Sequence, residues 1–351
     1  MTNSDFQFYS KAEYYRDVTG RVTQTKKGDA IALATMNFDP KYEEVGVLMT
    51  ALCDAAGRGV RVTLMIDAYN FLMNEHKIVG PLWFTKDIPR YVPASYRKKL
   101  SSLKQLETSG GRYIITNIPT RPFGVPFGGR SHIKFAVVND YVYIGGCNLN
   151  IVSVDTMVGW QDQTTADWLR DFTDKVDDMK NVRLVLNDTD VARSLDAQTE
   201  LLIDAGVPHQ SVIYDKALEL IDQAEKSIYI TCQFFPNSTT TRHLAKAHQR
   251  GLDVTVIFNH PWQHRTHYPL QQAVVWRERA RTPAVFFSNQ LSRSHLYLHA
   301  KLIATEKGAI VGSHNYVPTG VNLGTAEIAL LRHDPEFAVQ AIRAIKDQIT
   351  V

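Results

Sequence analysis

The chain carries one order of helix, turn and strand twice, and this repeat restricts the folds open to it more than any other feature. Leu48–Asp67 combines an apolar helical pattern, an Arg-Gly stop and a buried strand, and Leu244–Asn259 repeats that order. A further strand precedes each copy, at Asp29–Asn37 and at Lys226–Phe235. Strands that alternate with helices predict an α/β fold around a buried sheet.

Two tandem copies predict two pseudo-symmetric lobes that pack face to face, each a mixed β-sheet flanked by helices. Each copy is followed by a His-x-Lys segment and then by an apolar strand that ends in glycine, within Tyr141–Asn148 and Ala309–Asn315. The periodic helix Asp167–Met179 is expected to close the first lobe, and Asn181–Gln210 to connect the two. We therefore expect a first lobe at residues 1–185 and a second at residues 186–351.

The composition indicates a globular chain without a dominant charge. Of its 351 residues 44% are apolar, and the formal net charge of +3 is too even to predict a nucleic-acid binder. Three cysteines in apolar surroundings, without metal or redox spacing, predict buried free thiols in a reducing compartment: Cys53, Cys147 and Cys232. We expect no signal peptide and no membrane span, and therefore a cytoplasmic protein with at most a peripheral membrane contact.

The two His-x-Lys segments carry the chemistry. In an extended strand alternate side chains share a face, so His132 lies beside Lys134 and His299 beside Lys301. One such pair is commonly a solvated surface feature, whereas two at the same place in a repeated unit indicate a site. Two lysines can neutralise a phosphodiester in its transition state, while one imidazole attacks phosphorus and the other protonates the leaving alcohol. This chemistry requires no metal or other cofactor, because the lysines supply the positive charge.

A short motif that ends in asparagine follows each His-x-Lys segment, at Gly145–Asn148 (GGCN) and Gly312–Asn315 (GSHN). The combination resembles the paired HKD signatures of the phospholipase D superfamily, from about Asp29 to Glu327. The resemblance implies two phospholipase D-like lobes, a site at their interface and a covalent phosphohistidine, with His132 as the nucleophile by analogy. It implies catalytic roles for His132, Lys134, Asn148, His299, Lys301 and Asn315. Ser313 is expected to add a hydroxyl donor for the substrate.

The sequence departs from that family at the acidic position of the motif. Asn139, followed by Asp140, stands there in the first half, and Glu306 stands there in the second. The position lies roughly 23 Å along an extended strand from the histidine and on the opposite face. Because Asn-Asp favours a turn, we expect a hairpin turn here rather than a contact with phosphate.

The two imidazoles need carboxylate partners to select their tautomers. Asp162 and Glu327 follow the two asparagines at similar distances along the chain. Trp160-x-Asp162 also resembles the W-x-D element of cardiolipin-synthase-like members. We expect Asp162 and Glu327 to orient the histidines, and the alternative is that both are surface acids at strand edges.

Several further residues are candidates around the site. Arg130 is expected to recruit a second phosphate or a headgroup, and Tyr297 to line the substrate channel. His260–His267 has spacing that could bind zinc, but Pro261 and the lack of acidic or thiol ligands favour a rim loop. An additional segment rich in aromatic and cationic residues, between Phe71 and Lys99, fits a lid or membrane contact, although an elaborated helical connection is favoured.

The motifs predict the reaction class but leave the substrate open. We favour a phospholipase D or cardiolipin-synthase-like phosphatidyltransferase that acts on phospholipids. The alternative is a nuclease of the same superfamily, for which only a short basic stretch, Arg90–Lys104, is available. A non-catalytic protein that retains the fold is disfavoured, because both sets of His, Lys and Asn are intact. We expect a phosphodiester substrate, less readily a nucleic acid, and no obligate protein partner.

Overall fold

The computed structural model describes residues 6–74, 77–78, 96–118, 129–150, 153–259, 268–282, 291–294 and 297–349. Its strands are β1 Gln7–Ser10, β2 Ala30–Thr35, β3 Arg61–Asp67, β4 Met73–Asn74, β5 Lys77–Ile78, β6 Arg112–Thr116, β7 Phe135–Val138, β8 Tyr141–Gly145, β9 Thr156–Gln161, β10 Val191–Ser194, β11 Thr199–Asp204, β12 Ser227–Cys232, β13 Asp253–Asn259, β14 Leu291–Ser294, β15 Leu302–Thr305, β16 Gly308–Gly312 and β17 Glu327–Arg332. Its helices are α1 Lys11–Thr23, α2 Glu43–Gly57, α3 Tyr69–Leu72, α4 Arg97–Thr108, α5 Gln163–Met179, α6 Val182–Val185, α7 Val212–Gln223, α8 Thr239–Gln249, α9 Tyr268–Arg281, α10 Pro318–Leu323 and α11 Pro335–Ile349.

The Arg-Gly turn of each repeat has the same structure in both copies. Gly59 and Gly251 have φ of +87° and +89°, a left-handed conformation that glycine adopts without strain and that ends α2 and α8. The arginine before each glycine reaches back to the end of the preceding helix. Arg58 donates to the carbonyl oxygen of Val22 at 3.2 Å, and Arg250 donates to that of Ala224 at 3.1 Å. The repeated dipeptide therefore both ends one helix and caps another.

Two mixed sheets form from the two copies, which confirms the predicted α/β fold. The first is seven-stranded in the order β1-β9-β8-β7-β2-β3-β6, and the second is eight-stranded in the order β10-β11-β17-β16-β15-β12-β13-β14. In each sheet a parallel pair (β2 with β3, β12 with β13) adjoins an antiparallel hairpin (β7 with β8, β15 with β16). The expectation that Asn181–Gln210 is only a connection is wrong, because β10 and β11 extend the second sheet beside β17.

The two sheets pack face to face through one continuous apolar core. It joins inward residues of the first sheet, such as Phe135 and Val158, to Leu302 and Leu330 of the second, all at most 1% exposed. Helices α5 and α11 contribute to the same core. The outer faces carry separate cores, under α1, α2 and α4 in the first lobe and under α7 and α8 in the second. The inner core is therefore what positions one lobe on the other.

The acidic position of the motif lies in a hairpin turn in both lobes, as the sequence predicted. Asn139 and Asp140 join β7 to β8, and Glu306 and Lys307 join β15 to β16. The Glu306 carboxylate accepts three backbone N–H groups, of residues 225, 226 and 227, at 2.8, 3.2 and 3.2 Å. The Asn139 amide oxygen accepts the N–H of Ala30 at 3.3 Å. These side chains hold the starts of β12 and β2.

Two expectations from composition can also be compared with the fold. The three cysteines are free and buried, as predicted. Within the described ranges, no helix combines the length and the apolar character needed to cross a lipid bilayer.

Candidate active site

The two His-x-Lys segments lie at the junction of the lobes, directly before β7 and β15 rather than within those strands. Each is hydrogen-bonded to the other lobe. The N–H of His132 donates to the Ala326 carbonyl at 2.7 Å, and the N–H of His299 donates to the Val154 carbonyl at 2.7 Å. Short parallel bridges, Ser131 with Ala326 and Val154 with Leu298, accompany these bonds. The lobes therefore meet along the backbones of both motifs.

Each histidine is paired with a carboxylate from the opposite lobe. Nδ1 of His132 lies 2.8 Å from Oε2 of Glu327, and Nδ1 of His299 lies 2.6 Å from Oδ2 of Asp155. The two imidazole rings are 6.5 Å apart between centroids. Because a neutral imidazole donates from Nδ1 to its carboxylate, Nε2 carries the lone pair in both rings. The site thus has two neighbouring imidazoles of the same tautomer.

The prediction for Glu327 agrees with this geometry, whereas the prediction for Asp162 is wrong. Asp162 caps helix α5, where its carboxylate accepts the N–H of Thr164 at 3.0 Å and the hydroxyl of Thr165 at 2.6 Å. The residue that pairs with His299 is Asp155, at the other end of β9.

The strand pairing of the two sheets shows that Asp155 is the first-lobe equivalent of Glu327. Gly145 pairs with Met157, and Gly312 pairs with Ala329. Counting back two residues along each strand gives Asp155 and Glu327, so these acids occupy equivalent positions. The W-x-D pattern drew attention to the opposite end of the strand.

Both lysines of the motifs are fully buried, which makes them selective for an anionic ligand. Nζ of Lys134 donates to the carbonyl of His132 at 2.6 Å, and Nζ of Lys301 donates to that of His299. An ammonium has three donors, so each lysine retains N–H groups for phosphate oxygens. Burial lowers the pKa of Lys134 well below its usual range and that of Lys301 to about 8. An anionic ligand between them would restore the charged form.

The ionisation of the dyads follows from burial and from their mutual charges. Burial lowers the pKa of both histidines below the ordinary value, and in His299 Lys301 adds to that effect. Burial acts to raise the pKa of Asp155 and of Glu327, but the paired histidine and the nearby cationic groups together outweigh it, and both pKa values lie at about 2. The carboxylates are therefore ionised and the imidazoles neutral near pH 7 before an anion binds.

The two asparagines occupy equivalent positions after β8 and β16, with different partners. The Asn148 amide oxygen accepts the N–H of Asn37 at 3.1 Å, so its amide nitrogen remains as the donor group. The Asn315 amide oxygen is buried and has no hydrogen-bond partner. A buried polar atom without a partner costs free energy unless a ligand or water completes it.

Ser313 supports a carboxylate, which corrects the expectation that it donates to substrate. Its hydroxyl donates to Glu327 and accepts the N–H of Ile328 at 3.0 Å. The equivalent residue in the first lobe is Gly146, where an added Cβ would collide with the carboxylate of Asp155. Ser313 thus contacts Glu327, and Gly146 leaves room for Asp155.

Arg130 is a structural residue and does not face the substrate space as expected. Its side chain is 8% exposed and forms an ion pair with Asp67 at 3.3 Å. It also donates to the carbonyl of Asn117 at 2.8 Å. Asp67 in turn accepts the N–H of Ser131 at 2.7 Å, which fixes the residue before His132. Because this network uses the guanidinium internally, Arg130 is not a headgroup receptor.

Tyr297 lies beside the site, two residues before His299. Its hydroxyl accepts a hydrogen bond from Nε2 of Gln233 at 2.8 Å, and its carbonyl accepts the N–H of Val154 at 3.0 Å. Burial raises the pKa of its hydroxyl, and the nearby Asp155 acts in the same direction. His260–His267 and most of the aromatic and cationic segment (residues 79–95) lie outside the described residues. Phe71 and Leu72, at the start of that segment, are buried in the first-lobe core.

The chain is similar to known proteins in part of its sequence and in its fold. Residues 217–348 match the family model described as cardiolipin synthase, PLD-like domain. The structure of phosphatidylserine synthase from Haemophilus influenzae Rd KW20 is similar, with a TM-score of 0.70 and 16% identity over 98% of this chain and 85% of that one. Polyphosphate kinase from Porphyromonas gingivalis matches with a TM-score of 0.56 and 13% identity over 99% of this chain and 50% of that one. No curated protein sequence matches significantly.

At these identities the structural likeness establishes the fold and leaves the substrate open. The family model covers the second lobe, and the first lobe repeats its sheet, its hairpin and its His-x-Lys segment. Residues 217–348 are therefore similar to the PLD-like domain, and the first lobe repeats the architecture of the second.

Proposed function

We propose that this protein breaks or exchanges a phosphodiester bond of a phospholipid through a covalent phosphohistidine. The observation that carries the proposal is the pair of imidazoles, 6.5 Å apart, each oriented through Nδ1 by a carboxylate of the opposite lobe. That arrangement leaves an unprotonated Nε2 on each of two neighbouring rings. Two buried lysines, Lys134 and Lys301, interact electrostatically with both histidines.

In the first step Nε2 of His132 attacks phosphorus, and an N–P bond forms as the P–O bond to the leaving alcohol breaks. His299, protonated at Nε2 once the anionic substrate is bound, gives its proton to that departing oxygen. Glu327 stabilises the positive charge that develops on the His132 ring. Lys134 and Lys301 neutralise the equatorial oxygens of the five-coordinate transition state.

In the second step the two histidines complete the cycle. Nε2 of His299, now neutral, takes a proton from water or from an acceptor alcohol as its oxygen attacks phosphorus. The N–P bond breaks and His132 returns to its starting state. Water gives hydrolysis and an alcohol gives transfer. Asn148 and Asn315 hold the phosphate through their amide N–H groups in this proposal, which the buried, partnerless amide oxygen of Asn315 supports by marking an unfilled polar position.

Two comparisons support a phospholipid over other phosphodiesters. The family model matched by the second lobe is described as cardiolipin synthase, PLD-like domain. Phosphatidylserine synthase shares the two-lobed fold across nearly the whole chain. Polyphosphate kinase shares the fold as well, so these comparisons support the proposal without deciding it.

Helix α9 supports a contact with a lipid surface. Trp276 on this helix is 66% exposed, and the exposed Arg279 and Arg281 follow it. Glu278 is buried and accepts the N–H of Ser238 at the start of α8, which anchors this part of α9 at the end of the sheet that carries Gln233 and the site. A tryptophan beside arginines fits the boundary between anionic headgroups and acyl chains.

The test offers three substrates in parallel to the purified protein: phosphatidylglycerol vesicles, phosphatidylcholine with a primary alcohol, and single-stranded DNA. We expect turnover of a lipid, its loss in His132→Ala and in His299→Ala, and a phosphoenzyme in wild type after denaturation at alkaline pH, where the N–P bond is stable. Asp162→Ala is the matched control and should retain turnover. Cleavage of DNA without lipid turnover would replace the proposal with a nuclease, and full activity of His132→Ala would refute the mechanism.

A further inference from the structure

The residue that faces each orienting carboxylate across the neighbouring strand differs between the lobes. In the second sheet Asp204 pairs with Glu327 in the β11–β17 register. In the first sheet Ser10 pairs with Thr156, and Lys11 and Asp155 are the residues next to that pair along the chain, where β1 gives way to helix α1. The same position therefore holds an acid in one lobe and a lysine in the other.

Lys11 is a buried cation next to the Asp155–His299 pair. It is 1% exposed, and its Nζ donates to the amide oxygen of Asn150 at 2.7 Å. Burial lowers the pKa of Lys11 and Asp155 acts against that effect, while the charge of Lys11 lowers the pKa of Asp155. It begins helix α1, whose Tyr15 donates to the carbonyl of Asn148 at 3.0 Å. This helix thus docks on the loop that presents a phosphate-binding asparagine.

Asp204 gives the other pair a different environment. Its carboxyl accepts the hydroxyl of Ser211 at 2.6 Å and the N–H of Ile213 at 3.1 Å. Burial raises its pKa well above the usual range, and Glu327 adds to that effect. Whether Asp204 is protonated or ionised, it adds no positive charge beside Glu327 and His132.

We propose that Lys11 is a positioning residue that acts on His299 through Asp155 and makes the two histidines bind protons unequally. This proposal rests on the proposed function, in which the two histidines need opposite protonation states at the same moment. A buried ammonium near one pair disfavours a second positive charge on that imidazole, while among the described residues no cation besides the motif lysines acts on the other pair. A pseudo-symmetric site thereby acquires a fixed order of proton transfer.

The other charged groups around the two rings do not create this difference. Lys134 and Lys301 act on both histidines. His314 acts on the His132 side, where burial holds it neutral by lowering its pKa to about 4. Burial likewise keeps the Cys147 thiol, close to Asp155, protonated by raising its pKa. Lys11 is the charged group that distinguishes the Asp155 side among the described residues that act on these dyads.

The test measures the pH profile of kcat, which reports ionisations of the substrate complex, for wild type and Lys11→Gln, and titrates His299 by NMR without substrate. At an effective dielectric constant of about 20, a unit charge about 10 Å away shifts a pKa by about one unit. We expect the pKa of His299 to rise by about that amount. Only the alkaline limb of the profile should move, and it should move to higher pH. Lys11→Arg should restore the wild-type profile. Lys99→Met, which removes a half-buried lysine elsewhere in the first lobe, should leave both limbs in place.

A second variant keeps the test sharp if Lys11→Gln does not fold. Asn150→Asp sets a carboxylate on the Lys11 ammonium and neutralises it in place, so it should shift the same limb upward. An unchanged His299 titration, or equal shifts of both limbs, would overturn the proposal. Movement of the acid limb alone would support the action of Lys11 and reverse the roles of the histidines. Because NMR titration needs no substrate, failure of the lipid assignment would leave this result interpretable.

Discussion

Asp155→Asn should lower catalytic activity, whereas Asp162→Ala should lower stability and leave activity nearly unchanged. The 2.6 Å contact between Asp155 and Nδ1 of His299 is a buried, charge-assisted hydrogen bond, with the carboxylate fully buried. Such a bond contributes about 1.5–3 kcal/mol, which corresponds to a rate factor of about 10–150. An Asn amide can also donate to Nδ1 and move the ring proton to Nε2, where the lone pair is needed. We therefore expect kcat/KM to fall by about 10²–10⁴.

Asp162 has no such role in the structure, and its removal should affect folding alone. As the N-cap of α5 it accepts one backbone N–H and one hydroxyl. Loss of an N-cap costs about 0.5–2 kcal/mol of the free energy of unfolding. Asp162→Ala should therefore unfold at lower urea concentration while kcat/KM stays within about twofold of wild type.

The assay measures kcat/KM on the substrate that the three-substrate test identifies, together with urea unfolding of both variants. A loss of activity in Asp162→Ala equal to that in Asp155→Asn would refute the assignment of the dyad. A kcat/KM of Asp155→Asn within about fivefold of the wild-type value would also refute it, because loss of the hydrogen bond to His299 alone predicts a larger decrease.

Four further predictions follow from single contacts. Glu306→Ala removes the acceptor of three backbone N–H groups at the start of β12, so it should lower the free energy of unfolding by about 1–3 kcal/mol, measured in urea, with kcat/KM nearly unchanged. Burial lowers the pKa of His314 to about 4, so the folded state resists protonation and the free energy of unfolding should fall as pH drops below about 6.5. His314→Gln should make the decrease in that free energy between pH 7 and pH 5 smaller by about 2 kcal/mol, measured by urea unfolding at each pH. Ser313→Ala frees the carboxylate of Glu327 and should lower kcat about tenfold at unchanged KM, measured in steady-state kinetics. Trp276→Ala should weaken sedimentation with anionic vesicles at least fivefold, whereas Val339→Ala, an equally exposed apolar site on α11, should not.

The local chemistry of the sequence accounts for the parts that could be predicted. Arg58-Gly59 and Arg250-Gly251 end helices in both copies because glycine takes the left-handed conformation they require. Asn139 and Glu306 stand in hairpin turns because strand length and turn propensity are local properties. The duplicated pattern then led to two mixed sheets with a His-x-Lys segment in each.

Side-chain partners were harder to predict, because residue type does not reveal what faces it. Arg130 was expected at the substrate, but the buried carboxylate of Asp67 at the end of β3 takes its charge. Ser313 was expected to donate to phosphate, but Glu327 lies closer and accepts its proton. Residues 191–204 were read as a connection, although pairing with β17 makes them strands.

The sequence by itself determined the two repeated units, their turns and the residue types of the site, because these depend on neighbours along the chain. Only the tertiary structure decided which carboxylate meets which histidine. Asp155 and His299 are 144 residues apart, and His132 and Glu327 are 195 apart, each pair spanning the two lobes. Such partners are set by the packing of one sheet on the other through the shared apolar core. The sequence puts one histidine in each lobe, and the lobe interface pairs each histidine with a carboxylate of the opposite lobe.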